Sequence, residues 1–191
     1  FERYVSAALV RELMSKGIEA RPGGEDTEVT ILFTDVEGFT TISESLTPQE
    51  LAVALGRNLE AATRLIEARG GTVDKYIGDS VMAFWNAPNA VEDHALQACL
   101  AALEVIDNIR AAEDRDDRLW PIRVGINTST VLVGNLGSPD RLDYTVIGDG
   151  VNLASRIEGI NKTYGTRALV GESTRRAVDE RLLTRPVDRV V

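Results

Sequence analysis

The sequence is poor in the residues that build disulfide frameworks and Cys/His metal sites. Among its 191 residues there is one cysteine, Cys99, and one histidine, His94. A disulfide framework is therefore excluded, and a reducing compartment is indicated. Without a second histidine or a cysteine cluster, His94 is expected to have a structural or surface role rather than to bind a metal. Cys99 lies in an apolar helical pattern, and we expect it in the core.

Positive charge and long apolar runs are also scarce. The chain has 21 Lys and Arg against 30 Asp and Glu, a formal charge of −9. This balance argues against a nucleic-acid partner, and a polyanionic substrate would need accompanying cations. No apolar run is long enough to span a bilayer and no signal peptide begins the chain, so we expect no direct membrane insertion. We predict a cytoplasmic location, alone or as part of a membrane-anchored parent.

The pattern of apolar residues predicts one α+β domain preceded by a helix. Residues 1–27 are interpreted as an N-terminal helix and a polar connector. Residues 28–191 follow the order β-α-β-β-α-β with additional C-terminal elements, which is typical of a ferredoxin-like core. The predicted elements are a strand at 29–34, a helix from the capping box Thr47–Glu50 to Gly70, a hairpin at 72–85, a helix at 91–112, strands at 122–128, 131–134 and 143–148, a helix from Asp149, a strand at 167–170 and a helix at 172–179.

Asp35 stands at the end of the first predicted strand. Residues 29–34 form a β-branched and aromatic run that stops at this carboxylate. Gly38 then permits close backbone approach, and residues 39–44 can begin a helix whose first N–H groups lack intrahelical partners and suit phosphate oxygens. The stretch thus offers an oxygen ligand beside an anion site. The alternative is that Asp35 only caps this helix.

A second aspartate, Asp79, favours the ligand interpretation. It follows Gly78 between two apolar runs, and a Gly-Asp pair in this position is typical of a hairpin tip. Two carboxylates, each at the end of a strand, are better explained by a shared ligand than by two independent caps.

Five short motifs follow one another along the chain at compatible spacings. Together they resemble the catalytic domain of class III nucleotidyl cyclases, from about residue 28 to about residue 171. The motifs are F-T-D-V-E-G-F-T at 33–40, K-Y-I-G-D at 75–79, R-V-G-I-N-T at 123–128, Y-T-V-I-G-D at 144–149 and V-N-L-A-S-R at 151–156.

The resemblance implies an adenylyl cyclase that converts ATP to 3′,5′-cyclic AMP and pyrophosphate in signal transduction. Asp35 and Asp79, with the carbonyl of Val36, match the family's ligands for two divalent cations, Mg²⁺ or Mn²⁺. Two cations would assist the attack of the ribose 3′-hydroxyl on the α-phosphate by lowering the pKa of the hydroxyl and neutralising phosphate charge.

The resemblance also assigns the phosphate and ribose contacts. Backbone N–H groups of Gly38, Phe39 and Thr40 would hold the β- and γ-phosphates, Asn152 would orient the ribose, and Arg156 would stabilise charge at the α-phosphate. Asn152 and Arg156 are four residues apart and share a helix face. Outside the motif they would be an early-helix amide and an exposed ion-pair partner. In the family these groups and the metal ligands come from different subunits, which implies a head-to-tail homodimer with shared active sites.

Lys75 and Thr145 match the positions that contact the base. In adenylyl cyclases the lysine donates to adenine N1, which favours ATP, although a solvated strand lysine is the simpler alternative. Thr145 stands where many adenylyl cyclases have Asp and resembles the bacterial subgroup often stimulated by bicarbonate. Its hydroxyl can accept from the adenine amino group or donate to a guanine carbonyl.

Two other functions remain open from the sequence, namely a guanylyl cyclase and a catalytically weak cyclase-like regulatory module. The family's late-strand lysine for the triphosphate has no counterpart, because the lysines are Lys16, Lys75 and Lys162. We therefore expect the C-terminal end of the domain to be truncated, and an upstream sensor domain in the parent protein.

Overall fold

The computed structural model describes residues 22–112, 119–138 and 141–189 of the chain. The helix predicted at 1–14 lies outside the described residues. Among the helices that are described, none combines the length and the apolar character needed to cross a membrane.

The fold is a six-stranded sheet with helices on its faces. The strands are β1 (Gly23–Val36), β2 (Thr72–Ile77), β3 (Ser80–Trp85), β4 (Ile122–Ser138), β5 (Arg141–Ile147) and β6 (Ala168–Val170). The helices are α1 (Phe39–Glu44), α2 (Pro48–Ala68), α3 (His94–Ala112), α4 (Asp149–Tyr164) and α5 (Glu172–Val178).

The strand order confirms the ferredoxin-like prediction. The sheet runs β2-β3-β1-β4-β5, and the neighbours along this path are antiparallel. Its first four strands, with the helices between β1 and β2 and between β3 and β4, form the βαββαβ core. On its far side β4 pairs with the parallel strand β6 in its first half and with β5 in its second half.

Both faces of β1 are buried, which explains its apolar sequence. Leu32 and Val36 pack in a cluster with residues of α2 and α3. Val29, Ile31 and Phe33 alternate with them and pack on the opposite face against β5 and α4. This places the C-terminal end of β1, and with it Asp35, between two packed layers.

The helix signals of the sequence are confirmed at α2. The Thr47 hydroxyl accepts from the Glu50 N–H at 3.3 Å, and the Glu50 carboxylate accepts from the Thr47 N–H at 2.9 Å. Pro48 occupies the first turn, and Gly70 takes a positive φ of 77° after the helix ends. Both ends of the helix are therefore specified locally.

Several boundaries differ from the sequence pattern. Residues 23–27 were predicted as connector, but they form the exposed first part of β1 because they pair with residues 131–135 of β4. The two strands predicted at 122–128 and 131–134 are one continuous strand. Asp149 was predicted as a cap, but the N-cap of α4 is Gly148 and Asp149 lies in the first turn. Pairing with neighbouring strands overrides the turn propensity of polar residues here.

The predictions for the two rare residues are confirmed. Cys99 is buried on α3, and burial raises the pKa of its thiol to about 12. The Nδ1 atom of His94 lies 2.8 Å from the hydroxyl of Thr30 and so ties α3 to β1. Both residues are structural.

Candidate active site

Asp35 and Asp79 lie next to each other, where β1 ends and the β2–β3 hairpin turns. Asp35 is the last residue but one of β1, and Asp79 occupies the tip of the β2–β3 hairpin after Gly78, whose φ is +62°. The carboxylate of Asp79 accepts a hydrogen bond from the N–H of Val36 at 3.0 Å. The capping alternative for Asp35 is wrong, because the N-cap of α1 is Gly38 and no side chain caps that helix.

The electrostatics of this pair suit a cation. Burial raises the pKa of Asp35, a hydrogen bond from Arg123 lowers it, and the neighbouring Asp79 raises it. Two carboxylates that repel each other in a partly buried position are a favourable environment for a divalent ion with oxygen ligands. The described ranges contain no group of three or more Asp, Glu, His or Cys that could bind a metal.

Arg123 and Glu158 border the carboxylate pair and were missed in the sequence. Arg123 on β4 donates through Nη2 to Asp35 Oδ2 at 2.7 Å, and its Nε lies 3.9 Å from Glu158 Oε1. Burial, Asp35 and Asp79 raise the pKa of Glu158 to about 7, although Arg123 lowers it. The Arg123 Nε and Glu158 Oε1 atoms are buried without a hydrogen-bond partner among the residues that the structure describes. In the sequence, the one sign of a functional role for Arg123 was that it is a charged residue within the apolar run of β4.

The base-contact residues of the sequence prediction lie together in one chain. Thr145 on β5 donates from Oγ1 to Asp74 Oδ2 at 2.5 Å, and Lys75 Nζ lies 3.4 Å from Asp74 Oδ1. In a flat sheet β2 and β5 would be about 19 Å apart, at four strand spacings. The sheet therefore curls until its two edge strands meet. Asp74, which the sequence analysis did not identify, connects Lys75 to Thr145.

Asn152 and Arg156 form a separate group on α4. Both side chains are exposed, and neither forms a hydrogen bond or an ion pair with any residue that the structure describes. The ion-pair alternative for Arg156 is therefore not realised, and Glu158 lies against Arg123 instead. Side chains two residues apart on a helix differ in direction by about 200°. Arg156 therefore points away from the helix face on which Glu158 approaches Asp35.

Gly125 fixes the distance between α4 and β4. A Cβ atom at this position would collide with the backbone N of Glu158 and would lie 2.6 Å from the carbonyl oxygen of Ala154. The helix backbone thus packs directly on the strand backbone. This contact determines where α4 presents Arg156 and Glu158.

The α1 N-terminus lies next to the carboxylate pair in the chain. Gly38 has a positive φ of 73°, and α1 begins at Phe39. Phe39 packs edge-on against Trp120, with ring centroids 6.3 Å apart, which fixes the start of the helix. The N–H groups of this first turn have no partner within the helix. Thr40 is exposed.

A ferredoxin-like core with a carboxylate pair at one edge and a lysine and a threonine beside each other defines a protein of the nucleotidyl cyclase class. The family model "Adenylate and Guanylate cyclase catalytic domain" matches residues 23–186. The chain belongs to this family.

Individual relatives agree with this assignment. The chain is 42% identical over 173 residues to "Adenylate cyclase 1" of Rhizobium meliloti, covering 88% of this chain and 26% of the relative. It is 39% identical over 180 residues to "Adenylate cyclase" of Anabaena cylindrica, covering 91% of this chain and 36% of the relative. The chain therefore spans between a quarter and two fifths of the length of these two relatives.

Solved structures match the fold as well. A bacterial light-regulated adenylyl cyclase superposes with a TM-score of 0.83 at 27% identity, covering 94% of this chain and 53% of that one. Structures of guanylyl cyclases also match. The fold is thus common to both kinds of cyclase, and the choice of base depends on individual residues.

Proposed function

We propose that this domain is an adenylyl cyclase that converts ATP to 3′,5′-cyclic AMP and pyrophosphate in signal transduction. The observation that carries the proposal is the contact of the Asp79 carboxylate with the N–H of Val36, which brings two carboxylates together at one edge of the sheet. The two curated relatives are both named adenylate cyclases, which supports ATP as the substrate.

In the proposed reaction Asp35, Asp79 and the Val36 carbonyl hold two divalent cations, Mg²⁺ or Mn²⁺. When bound, these cations lower the pKa of the ribose 3′-hydroxyl and neutralise charge on the phosphate oxygens. Without them, Arg123 partly neutralises Asp35 through its hydrogen bond of 2.7 Å. The burial of Asp35 and its repulsion from Asp79, which raise its pKa, are the physical reasons why the pair favours an added positive charge.

The remaining phosphate contacts come from α1 and α4. The backbone N–H groups of Gly38, Phe39 and Thr40 hold the β- and γ-phosphates, because the first turn of a helix has unpaired donors. Asn152 orients the ribose, and Arg156 donates to the α-phosphate as its negative charge grows during the attack. The exposure of Asn152 and Arg156 leaves both free for a ligand.

The active site is shared by two subunits of a head-to-tail homodimer. Arg156 points away from the side of α4 that faces Asp35, so both residues reach one substrate only if a second copy supplies one of them. Ile147 and Leu153 support this arrangement, since they are apolar and 57% and 44% exposed. Leu153 follows Asn152 directly in the chain, and Ile147 lies five residues before Asn152. A partner subunit would cover them.

Lys75 and Thr145 select adenine in this proposal. Lys75 donates to N1, an acceptor in adenine, whereas N1 of guanine carries a hydrogen. The simpler alternative for Lys75, a lysine that contacts only solvent, disagrees with its position 3.4 Å from Asp74. Because Thr145 resembles the residue of the bacterial subgroup often stimulated by bicarbonate, we infer that the domain belongs to that subgroup.

The domain would serve a longer signalling protein. Both curated relatives are much longer than the matched region. We infer that an upstream sensor domain controls the cyclase domain, whose first strand begins at Gly23.

A turnover assay tests the proposed function. The purified chain is incubated with ATP or GTP, with Mg²⁺ or Mn²⁺, at several protein concentrations, and the products are separated by chromatography. We expect cyclic AMP and pyrophosphate in equal amounts, with GTP used less well. Predominant cyclic GMP would establish the guanylyl cyclase instead. Nucleotide binding without any cyclic product would establish the regulatory module, and either result overturns the proposal.

A further inference from the structure

Asp74 occupies an unusual position on β2. The pairing of β2 with β3 shifts between Val73 and Lys75, so Asp74 is the extra residue of a β-bulge. A bulge turns a side chain in a direction that regular alternation would not allow. Here it buries a carboxylate whose side chain is only 2% exposed.

Among the described residues, the partners of the Asp74 carboxylate are Thr145 and Lys75, the two residues that we propose contact the nucleotide base. Thr145 donates to one oxygen at 2.5 Å, and Lys75 lies 3.4 Å from the other. The pKa of Asp74 is raised, chiefly by burial and also by the charge of Asp143, although the Thr145 and Lys75 contacts lower it. Both partners are donors, which favours the charged, acceptor-only form.

The contact fixes the direction of the Thr145 hydroxyl. A hydroxyl has one proton to donate and two lone pairs to accept with. Because the proton goes to Asp74, only lone pairs remain for any other neighbour. Thr145 therefore presents an acceptor, and the ambiguity of a threonine at this position is removed.

We propose that Asp74 is a positioning residue that determines base specificity by holding the Thr145 hydroxyl as an acceptor for the 6-amino group of adenine. The proposal rests on the proposed function and adds to it how the 6-position is recognised. The 6-oxo group of guanine is itself an acceptor and would face the Thr145 lone pairs without a proton between them. Such an unmade hydrogen bond disfavours the wrong base.

The experiment compares ATP with purine riboside 5′-triphosphate, which keeps N1 but has no group at position 6. Lys75 contacts N1 in both substrates, so the ratio of their kcat/KM values reports on Thr145. In the wild-type chain we expect a ratio of roughly ten, the scale of one hydrogen bond. In Asp74→Ala and Asp74→Leu the ratio should fall close to one, because no acceptor then holds the Thr145 proton.

Four further variants separate this role from a general structural one. Thr145→Val should also give a ratio close to one, and adding Asp74→Ala to it should change the ratio no further. Lys75→Ala should lower kcat/KM for both substrates in parallel. Asp143→Asn is the matched control, since it removes an exposed carboxylate whose charge acts on Asp74 but leaves the Thr145 contact in place. It should keep the wild-type ratio.

Folded Asp74 variants that retain the wild-type ratio would overturn the proposal, with folding checked by circular dichroism. If both variants fail to fold, Thr145→Asn replaces them, since Asp74 should accept from the amide N–H and leave the amide oxygen for the base. A preserved ratio then supports the proposal and a lost ratio overturns it. A wild-type chain that forms no cyclic AMP would instead refute the adenylyl cyclase function itself.

Discussion

The carboxylate of Asp79 accepts a hydrogen bond from the backbone N–H of Val36 at 3.0 Å, across 43 residues of sequence. The bond ties the tip of the β2–β3 hairpin to the end of β1. This hydrogen bond involves one oxygen of the Asp79 carboxylate and leaves the other oxygen available beside Asp35. The geometry of the proposed metal site is therefore set in part by a backbone contact.

Asp79→Asn should abolish turnover and leave the fold intact. The amide can replace the acceptor of the Val36 hydrogen bond, but it removes the negative charge that binds a divalent cation. The measurements are cyclic AMP formation and the shift in Tm caused by Mn²⁺, which should be positive for the wild-type chain and absent for the variant. Asp107→Asn on the exposed side of α3 is the control. Normal activity of Asp79→Asn would refute the two-metal interpretation.

Arg156→Ala should reduce kcat by roughly two to three orders of magnitude, the usual effect of removing one donor to the transition state. Affinity for a non-cyclising ATP analogue should change much less, because the contact strengthens only as charge develops. Rapid-quench kinetics and calorimetry measure the two quantities. Arg110→Ala, an exposed arginine of α3, serves as the control. An unchanged kcat would show that Arg156 is an ordinary surface residue.

A mixture of Asp35→Ala and Arg156→Ala chains should regain activity that neither chain has alone. Random pairing gives heterodimers in about half of all dimers, and each heterodimer has one site with both defects and one with neither. About a quarter of the wild-type activity is expected. Mass measurement of labelled chains checks that subunits exchange. A mixture that exchanges subunits and stays inactive would show that the site lies within one chain.

Glu158→Gln should stabilise the domain at alkaline pH. The pKa of Glu158 is raised from its ordinary value of 4.5 to about 7, chiefly by burial. The stability contributed by the proton is present below the unfolded pKa and is lost as the pH rises through about 7. Urea unfolding with a metal chelator should show similar stabilities at about pH 5, and a variant more stable by on the order of 1–3 kcal/mol at about pH 8.5. Equal stabilities at both pH values would contradict this.

The parts of the site that lie at strand ends could be predicted from the sequence. Asp35 ends an apolar strand and Asp79 follows a glycine at a hairpin tip, so local pattern was sufficient to place both. Asp74 could not be found in this way, because its burial results from a bulge and from the curling of β5 onto β2. Neither feature leaves a periodic trace in the sequence.

The same limit applies to the long strand β4. Its central residues Ser129 and Thr130 are small and polar, which indicated a turn, but they pair with Val29 and Glu28 of β1. Cross-strand pairing, which one strand's sequence does not contain, keeps the strand continuous. Arg123 was missed for a related reason, since its partner Asp35 is directly opposite in the register and 88 residues away in sequence.

The direct contact of Gly125 with the backbone of α4 has a consequence for both proposed catalytic centres. Because strand and helix touch without an intervening side chain, any side chain at position 125 would push α4 away from β4. Asp35 lies on the strand beside β4 and Arg156 lies on α4, so the spacing between them depends on the absence of a single Cβ atom. In the proposed dimer each centre takes groups from both subunits, and one substitution at position 125 would therefore misplace Arg156 in both centres at once.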